Sequence, residues 1–301
     1  MPTRAELDAM RRAIAISASG LGTSSPNPSV GCVLMAPDGR IVGEGYHLRK
    51  GEAHAEVNAL AAAGERATGT TAAVTLEPCN HVGLTPACHQ ALLDAGVSRV
   101  LIAVLDPTSR GEGGAEQLRR AGVDVETHVL ESEALLVLGP WLTSLGSGKP
   151  MVHLLMQLGE DGPTGELSAA AQAEARRLRR VHDLVYPAGS GTVREGCPGG
   201  HGGAVFRVPG DLSALPLGDA LAEMGQAGAR TVLVIGASEF GGRLLKGGFV
   251  QRLTLFVPAP APSRAPSAGR PSLLPPGFVL TAITRVDQQL MVVGEFVPSA
   301  A

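Results

Sequence analysis

The residues best suited to carry chemistry are an imidazole, a carboxylate and two thiols in the first half of the chain. His54-Ala55-Glu56 opens a predicted helix, Glu77-Pro78-Cys79 follows a predicted strand, and Cys88 lies near the start of the next helix. One imidazole and two thiolates are ligands that Zn²⁺ favours, and three protein ligands leave a fourth tetrahedral position for water. The residues His54, Cys79 and Cys88 therefore predict a catalytic zinc site.

Glu56 is the predicted catalytic residue of this site. It lies two residues after His54 on the same first turn, so it can reach a bound water without ligating the metal. Zinc lowers the pKa of such a water from about 15.7 towards about 7. Glu56 would take the water proton and deliver it to a ring nitrogen and then to a leaving amine, as in zinc nucleobase deaminases.

Two other interpretations of these residues stay open. A structural zinc site would need a fourth ligand, which His81 or His89 could supply. Alternatively, a His and two Cys can be small buried residues with no metal. Cys32 is expected in a strand core and Cys197 in a loop, because neither belongs to a motif.

The elements that position this site alternate between strand and helix patterns, which predicts a three-layer α/β/α domain around a mixed sheet. A Gly/Ser stretch at 145–150 predicts a boundary between residues 1–146 and a second α/β domain over 147–301. A Pro/Ala/Ser-rich segment at 258–276 predicts a mobile loop. Helices are predicted over 3–18, 55–67, 86–96, 113–121, 130–138, 167–182, 217–226 and 238–246. Strands are predicted over 29–36, 40–47, 71–77, 98–106, 123–129, 151–158, 231–237, 251–258 and 288–297.

Composition excludes several classes of protein. The chain of 301 residues is 44% hydrophobic and 18% charged, with a formal net charge of −3. Such a charge gives no reason to expect nucleic acid or an anionic membrane as a partner, and no apolar run approaches the ~20 residues of a membrane span. Residues 1–17 are typical of an amphipathic helix rather than a signal peptide, so a cytoplasmic protein is expected.

The spacing of the two cysteines, with eight residues between Cys79 and Cys88, is longer than the two residues common in zinc deaminases. This spacing, together with six matching segments, resembles the bifunctional deaminase/reductase family of riboflavin biosynthesis. The resemblance spans residues 5–150. The matching segments are Ser25-Pro26-Asn27-Pro28-Ser29-Val30-Gly31, Gly45-Tyr46-His47, His54-Ala55-Glu56-Val57, Ala95-Gly96-Val97, Asp106-Pro107 and Leu118-Arg119-Arg120-Ala121-Gly122-Val123.

The resemblance implies a cytidine-deaminase-like domain followed by a dihydrofolate-reductase-like domain. It implies hydrolytic removal of the 2-amino group from 2,5-diamino-6-ribosylamino-4(3H)-pyrimidinone 5′-phosphate, with Zn²⁺ as cofactor and a homo-oligomeric assembly. It also implies substrate-binding roles for Asn27, His47 and His81. An amide such as Asn27 supplies both a donor and an acceptor for a pyrimidinone edge.

One departure concerns the substrate phosphate. Family members usually carry Lys or Arg where this chain has Leu84, and losing that cation removes a charge-assisted contact. Arg49 or Lys50 could replace it. Alternatively, the chain deaminates a non-phosphorylated aminopyrimidine or related ring in specialised metabolism. A non-catalytic scaffold is a third hypothesis, although a structural zinc site has no need of Glu56.

The second half departs further from the family. Leu155 stands at the position of a family Lys, and Arg194-Glu195-Gly196-Cys197-Pro198 replaces the acidic and Arg residues expected after a glycine turn at 189–191. The family's late Glu-Gly-Gly turn appears as Ile235-Gly236-Ala237. The half also looks shortened, so a truncated reductase-like domain is predicted. We expect this half to have no reductase activity and to bind no NADP. Its expected role is in folding or subunit association.

Overall fold

The computed structural model describes residues 1–80, 87–109, 113–159, 162–187, 192–202, 207–212, 215–259 and 273–297. The chain divides into two compact units, Met1–Leu142 and Thr143–Ala301. The predicted boundary after residue 146 therefore falls just inside the second unit. Within the described residues, no helix combines the length and apolar character needed to cross a membrane.

The first unit is built on a five-stranded sheet in the order β2-β1-β3-β4-β5. Strand β1 pairs antiparallel with β2 and β3, whereas β3, β4 and β5 run parallel, so the sheet is mixed as predicted. The strands are β1 (Gly31–Met35), β2 (Ile41–Tyr46), β3 (Thr71–Leu76), β4 (Arg99–Val104) and β5 (Asp124–Glu126). The helices are α1 (Arg4–Ser17), α2 (Ala55–Ala63), α3 (Cys88–Asp94), α4 (Gly113–Arg120) and α5 (Glu131–Ser147), the last of which continues into the second unit.

Helices α1 and α2 cover opposite faces of this sheet. A Cβ on Gly31 would lie 2.1 Å from the Ala13 carbonyl oxygen of α1. A Cβ on Gly45 of β2 would lie 2.4 Å from both the Ala55 carbonyl oxygen and the Ala59 nitrogen of α2. Because Gly31 and Cys32 point to opposite faces, and Cys32 pairs with Gly45, the two helices are on different sides. The backbone of α2 thus rests directly on β2.

The second unit contains a seven-stranded sheet in the order β11-β12-β10-β6-β9-β7-β8, covered by helices on both faces. Strands β10, β6, β9 and β7 are parallel, and the remaining pairs are antiparallel. The strands are β6 (Met151–Gln157), β7 (Leu184–Tyr186), β8 (Arg194–Glu195), β9 (Thr231–Ile235), β10 (Arg252–Pro258), β11 (Phe278–Val286) and β12 (Gln289–Phe296). The helices are α6 (Ala169–Arg179), α7 (Leu217–Gln226) and α8 (Glu239–Lys246).

Several elements differ from the sequence prediction. The sequence did not indicate β7, β8 or β11, and α5 continues through Gly139-Pro140 to Ser147 instead of ending near residue 138. The glycine turn at 189–191 lies outside the described residues, as does most of the predicted mobile loop.

The contact between β2 and α2 can be tested with Gly45→Ala. The added methyl group would overlap two backbone atoms of α2, so the helix must shift. We expect the free energy of unfolding to fall by about 1–3 kcal/mol, measured by urea denaturation. Gly242→Ala in α8 is the control, because its Cβ would meet nothing within 4 Å. That variant should be neutral or more stable by about 0.5–1 kcal/mol; an unchanged Gly45→Ala midpoint would contradict the prediction.

Candidate active site

Three elements bring an imidazole and two sulfurs together in the first unit. His54 is the N-cap residue of α2, Cys79 follows β3, and Cys88 is the first residue of α3. Their potential ligand atoms all lie within 4.8 Å of one another. The His54 Nδ1 atom is 3.2 Å from the Cys88 Sγ atom and 3.7 Å from the Cys79 Sγ atom. The structure therefore brings together the three residues predicted as zinc ligands, with Nδ1 facing the sulfurs.

The spacing of these atoms fits zinc. Tetrahedral zinc, with Zn–S near 2.3 Å and Zn–N near 2.0–2.1 Å, separates its ligand atoms by about 3.5–3.8 Å. The observed Nδ1–Sγ distances of 3.2 and 3.7 Å are close to these values. A set of one nitrogen and two sulfurs is also chemically suited to zinc.

The two sulfurs titrate as a pair. The Cys88 thiol donates a hydrogen bond to the Cys79 sulfur, which lowers the pKa of Cys79 to about 4. The same hydrogen bond, together with burial, raises the pKa of Cys88. The His54 ring N–H facing Cys79 and the Cys88 backbone N–H, 3.3 Å from the Cys79 Sγ atom, further stabilise the thiolate. The hydrogen bond to Cys79 in turn raises the pKa of His54.

Glu56 lies in the first turn of α2, beside this cluster, and its side chain is buried. Burial raises the pKa of Glu56 to about 7, although its own backbone N–H and the nearby His54 partly offset this effect. The Cys88 thiol is within hydrogen-bonding reach of the carboxylate. A buried carboxylate therefore lies next to the three potential ligands.

His47 is buried against His54, with the ring centroids 5.2 Å apart in an edge-on arrangement. Its Nδ1 atom lies 3.1 Å from the Ala53 carbonyl oxygen, and its Nε2 atom lies 3.1 Å from the Asn27 Nδ2 atom. A carbonyl can only accept, so Nδ1 carries the proton. Burial lowers the pKa of His47, which favours the neutral ring, so Nε2 accepts from the Asn27 amide. Both ring nitrogens of His47 are therefore engaged by the protein itself.

Asn27 is held from several directions. Besides the bond to His47, its backbone N–H donates to the Ser24 carbonyl at 3.1 Å. The indole N–H of Trp141 in α5 donates to the neighbouring Pro26 carbonyl at 3.2 Å. Sequence reasoning missed Trp141; its one available signal is that it is the single tryptophan of the chain.

The structure describes only some of the remaining predicted residues. His81 and Leu84 lie outside the described residues. The His89 ring, an alternative fourth ligand, uses Nδ1 to donate to the Cys79 carbonyl at 3.1 Å. Cys32 is buried in β1, and the Cys197 thiol donates to the Arg180 carbonyl at 3.4 Å.

The first unit resembles a known zinc-binding region. Residues 4–104 match the family model of the cytidine and deoxycytidylate deaminase zinc-binding region. The diaminohydroxyphosphoribosylamino-pyrimidine deaminase of Buchnera aphidicola subsp. Schizaphis graminum is 48% identical over 126 residues, covering 42% of this chain and 85% of that protein. The chain belongs to the diaminohydroxyphosphoribosylaminopyrimidine deaminase family.

Curated riboflavin biosynthesis proteins also match this chain. The riboflavin biosynthesis protein RibD of Escherichia coli K12 is 46% identical over 192 residues, covering 61% of this chain and 52% of that protein. The aligned part of the chain thus spans about half the length of the curated RibD relatives. The crystal structure of a deaminase/reductase from Thermotoga maritima is 25% identical, with a TM-score of 0.80, and the match covers 97% of this chain and 99% of that chain. The predicted fold class is confirmed, but the shortening of the second half is not.

Cys79→Ser tests the metal site directly. Because a hydroxyl is a much poorer zinc ligand than a thiolate, we expect zinc affinity to fall by more than about 100-fold in competition with a chromophoric chelator. Cys197→Ser is the matched control, since it makes the same change at a thiol of the second unit. Zinc affinity that is equal in the two variants would contradict the site.

Proposed function

We propose that this chain is a zinc-dependent hydrolase that removes the 2-amino group from 2,5-diamino-6-ribosylamino-4(3H)-pyrimidinone 5′-phosphate in riboflavin biosynthesis. The observation that carries the proposal is the buried Glu56 beside the cluster of His54, Cys79 and Cys88. The name of the Buchnera relative supports this choice of substrate class. A scaffold that kept zinc only for stability would not need a buried carboxylate there, because burying one without a role is costly.

In the proposed reaction, water adds to C2 of the ring, the bond from C2 to the exocyclic nitrogen breaks, and ammonia leaves as C2 becomes a carbonyl carbon. His54, Cys79 and Cys88 would hold the zinc ion, which when bound supplies a Lewis acid that makes water acidic at neutral pH. Glu56 takes a proton from the attacking water and passes it to the ring nitrogen; it then takes the remaining proton from the new hydroxyl on C2 and gives it to the departing amine.

Asn27, His47 and His81 are the proposed substrate-binding residues, with different tasks for the first two. Asn27 uses its amide nitrogen on His47, which leaves the Oδ1 atom as its acceptor for a donor group of the ring. His47 is then a positioning residue, because its own nitrogens contact Asn27 and Ala53. His81 keeps the role implied by the family resemblance.

A second candidate is deamination of a non-phosphorylated aminopyrimidine or related ring. The observation that favours it is Leu84, which stands where the family carries a cation. Arg49 and Lys50 follow His47 in the loop that leads to His54, and they are the candidates to bind a substrate phosphate. The Arg49 Nε atom lies 3.5 Å from the Glu52 Oε1 atom in that loop, so phosphate binding would compete with this ion pair.

We also propose that the second unit has no reductase activity and does not use NADP. Leu155, at the position of the family's Lys, is fully buried among apolar side chains that include Val185 and Phe256. No charged group is presented at this position. A role in folding or in subunit association fits this apolar environment, and a homo-oligomer in the cytoplasm remains our expectation.

Ammonia release by the zinc-loaded protein tests the function. With the phosphorylated diaminopyrimidinone we expect turnover, and a much higher kcat/KM than with its dephosphorylated form. A preference for the dephosphorylated ring would instead support the second candidate. Turnover of neither compound would reject the first proposal and restrict the second to other aminated rings.

Glu56→Gln tests the proposed proton transfer. The amide keeps the shape of the side chain but cannot shuttle a proton, so we expect zinc to stay bound and kcat to fall by about 10²–10⁴-fold or more. Zinc content and ammonia release are measured on the same sample, so that lost metal is distinguished from lost catalysis. Activity equal to that of the parent would overturn the role of Glu56.

A titration with NADPH tests the second unit. The full chain should leave the fluorescence of NADPH unchanged and should not oxidise it in the presence of the deaminated product. The Thermotoga maritima protein, described as a deaminase/reductase, provides the positive control for the assay. Saturable NADPH binding by the full chain would contradict the proposal.

A further inference from the structure

The carboxylate of Glu77 is buried two residues before Cys79 and binds another part of the chain. Its Oε2 atom accepts from the Asp106 backbone N–H and from the Ser109 hydroxyl, both at 3.2 Å. Its Oε1 atom accepts from the Ala115 backbone N–H at 2.9 Å. Asp106 and Ser109 follow β4, and Ala115 lies in the first turn of α4. One side chain therefore ties these residues to the end of β3.

The start of α4 also lies directly on the segment that leads to Cys79. A Cβ on Gly114 would be 1.9 Å from the Pro78 carbonyl oxygen, so only glycine allows this approach. The backbone N–H of Glu77 donates to the Val104 carbonyl of β4 at 2.9 Å, which continues the parallel pairing beyond β3. Glu77 and Pro78 are therefore fixed on the side facing α4.

Cys79 itself is held on its other side by α3. Its carbonyl oxygen accepts from the His89 backbone N–H at 3.3 Å and faces the His89 Nδ1 atom at 3.1 Å. Its sulfur accepts from the Cys88 backbone N–H at 3.3 Å. The backbone and the sulfur of Cys79 are thus both held by contacts within the protein.

We propose that Glu77 is a positioning residue of the zinc site: it holds Pro78-Cys79 against residues 106–109 and the start of α4, so that the Cys79 sulfur is already placed for the metal. The inference rests on the proposed function, since Cys79 must be a ligand for its position to matter. Groups that orient metal ligands from outside the coordination shell typically change metal affinity by about 10–100-fold when they are removed. Glu77 acts one step further back, through the backbone of its neighbour.

Glu77→Gln in the full chain is the test. Glutamine has the same shape, but its NH₂ group would face a backbone N–H or a hydroxyl that now donates to the carboxylate. We expect zinc affinity, measured by chelator competition without substrate, to fall by about 10–100-fold. Dissociation of zinc into excess chelator should be correspondingly faster.

Glu6→Gln is the matched control. Glu6 is also buried in the first unit and accepts from the Thr3 N–H and the Arg99 guanidinium, at distances of 2.7 and 2.8 Å. This variant should lose stability in urea while keeping the zinc affinity of the parent. Parental zinc affinity in Glu77→Gln, or an equal loss in both variants, would overturn the inference.

Ser109→Ala keeps the inference testable if Glu77→Gln does not fold. It removes one of the three donors and should weaken zinc affinity by about two- to fivefold, as expected for one hydrogen bond. No change in Ser109→Ala would then overturn the role of Glu77. Undiminished zinc affinity in Cys79→Ser would instead reject the zinc site itself, so failure of the proposed function is seen separately.

Discussion

The direct packing of α2 on the backbone of β2 determines where the chemistry of the first unit can take place. Gly45 allows the contact, and α2 begins at the residue after His54, so the imidazole and the Glu56 carboxylate are fixed relative to the sheet. A side chain on Gly45 would move the start of the helix by more than the few tenths of an ångström that metal ligation tolerates. The parallel pairing of β3 with β4 provides the second fixed point, because it determines where Cys79 leaves the sheet.

Between these two points the protein concentrates groups that are unfavourable to bury together. Cys79 and Cys88 share a proton, since the pKa of one is lowered and that of the other is raised by the same hydrogen bond. The buried Glu56 adds a carboxylate whose pKa is raised by desolvation. A dication would stabilise both sulfurs as thiolates and offset the repulsion between them and the carboxylate. The electrostatics of the cluster therefore favour a dication, and its nitrogen and sulfur donors favour zinc among dications.

Much of the fold and of the candidate site could be predicted from the sequence because the signals are local. His54 and Glu56 are two residues apart, and β3, β4 and α7 follow from short apolar patterns. The failures involve tertiary contacts. The predicted helix ends near residue 138, yet α5 continues past Gly139-Pro140 to Ser147, and Trp141 in this continuation is buried and donates to the Pro26 carbonyl. Strand β11 was missed because its side chains are exposed along most of its length. Its sequence therefore does not alternate between apolar core residues and polar surface residues. Nothing in the sequence indicates that Asn27 would occupy the second nitrogen of His47.

Buried ionisable side chains join several strands of the second unit. His201 is buried between Asp183 and Glu195, with a carboxylate oxygen at 3.1 and 2.7 Å from its two ring nitrogens. Asp183 also accepts from the Arg230 and Thr231 backbone N–H groups. Because both ring nitrogens face acceptors, the hydrogen bonds to the two carboxylates raise the pKa of His201 despite its burial. These contacts tie β8 and the segment after it to β7 and β9. The buried ion pairs of His201 therefore hold strands of the second sheet together.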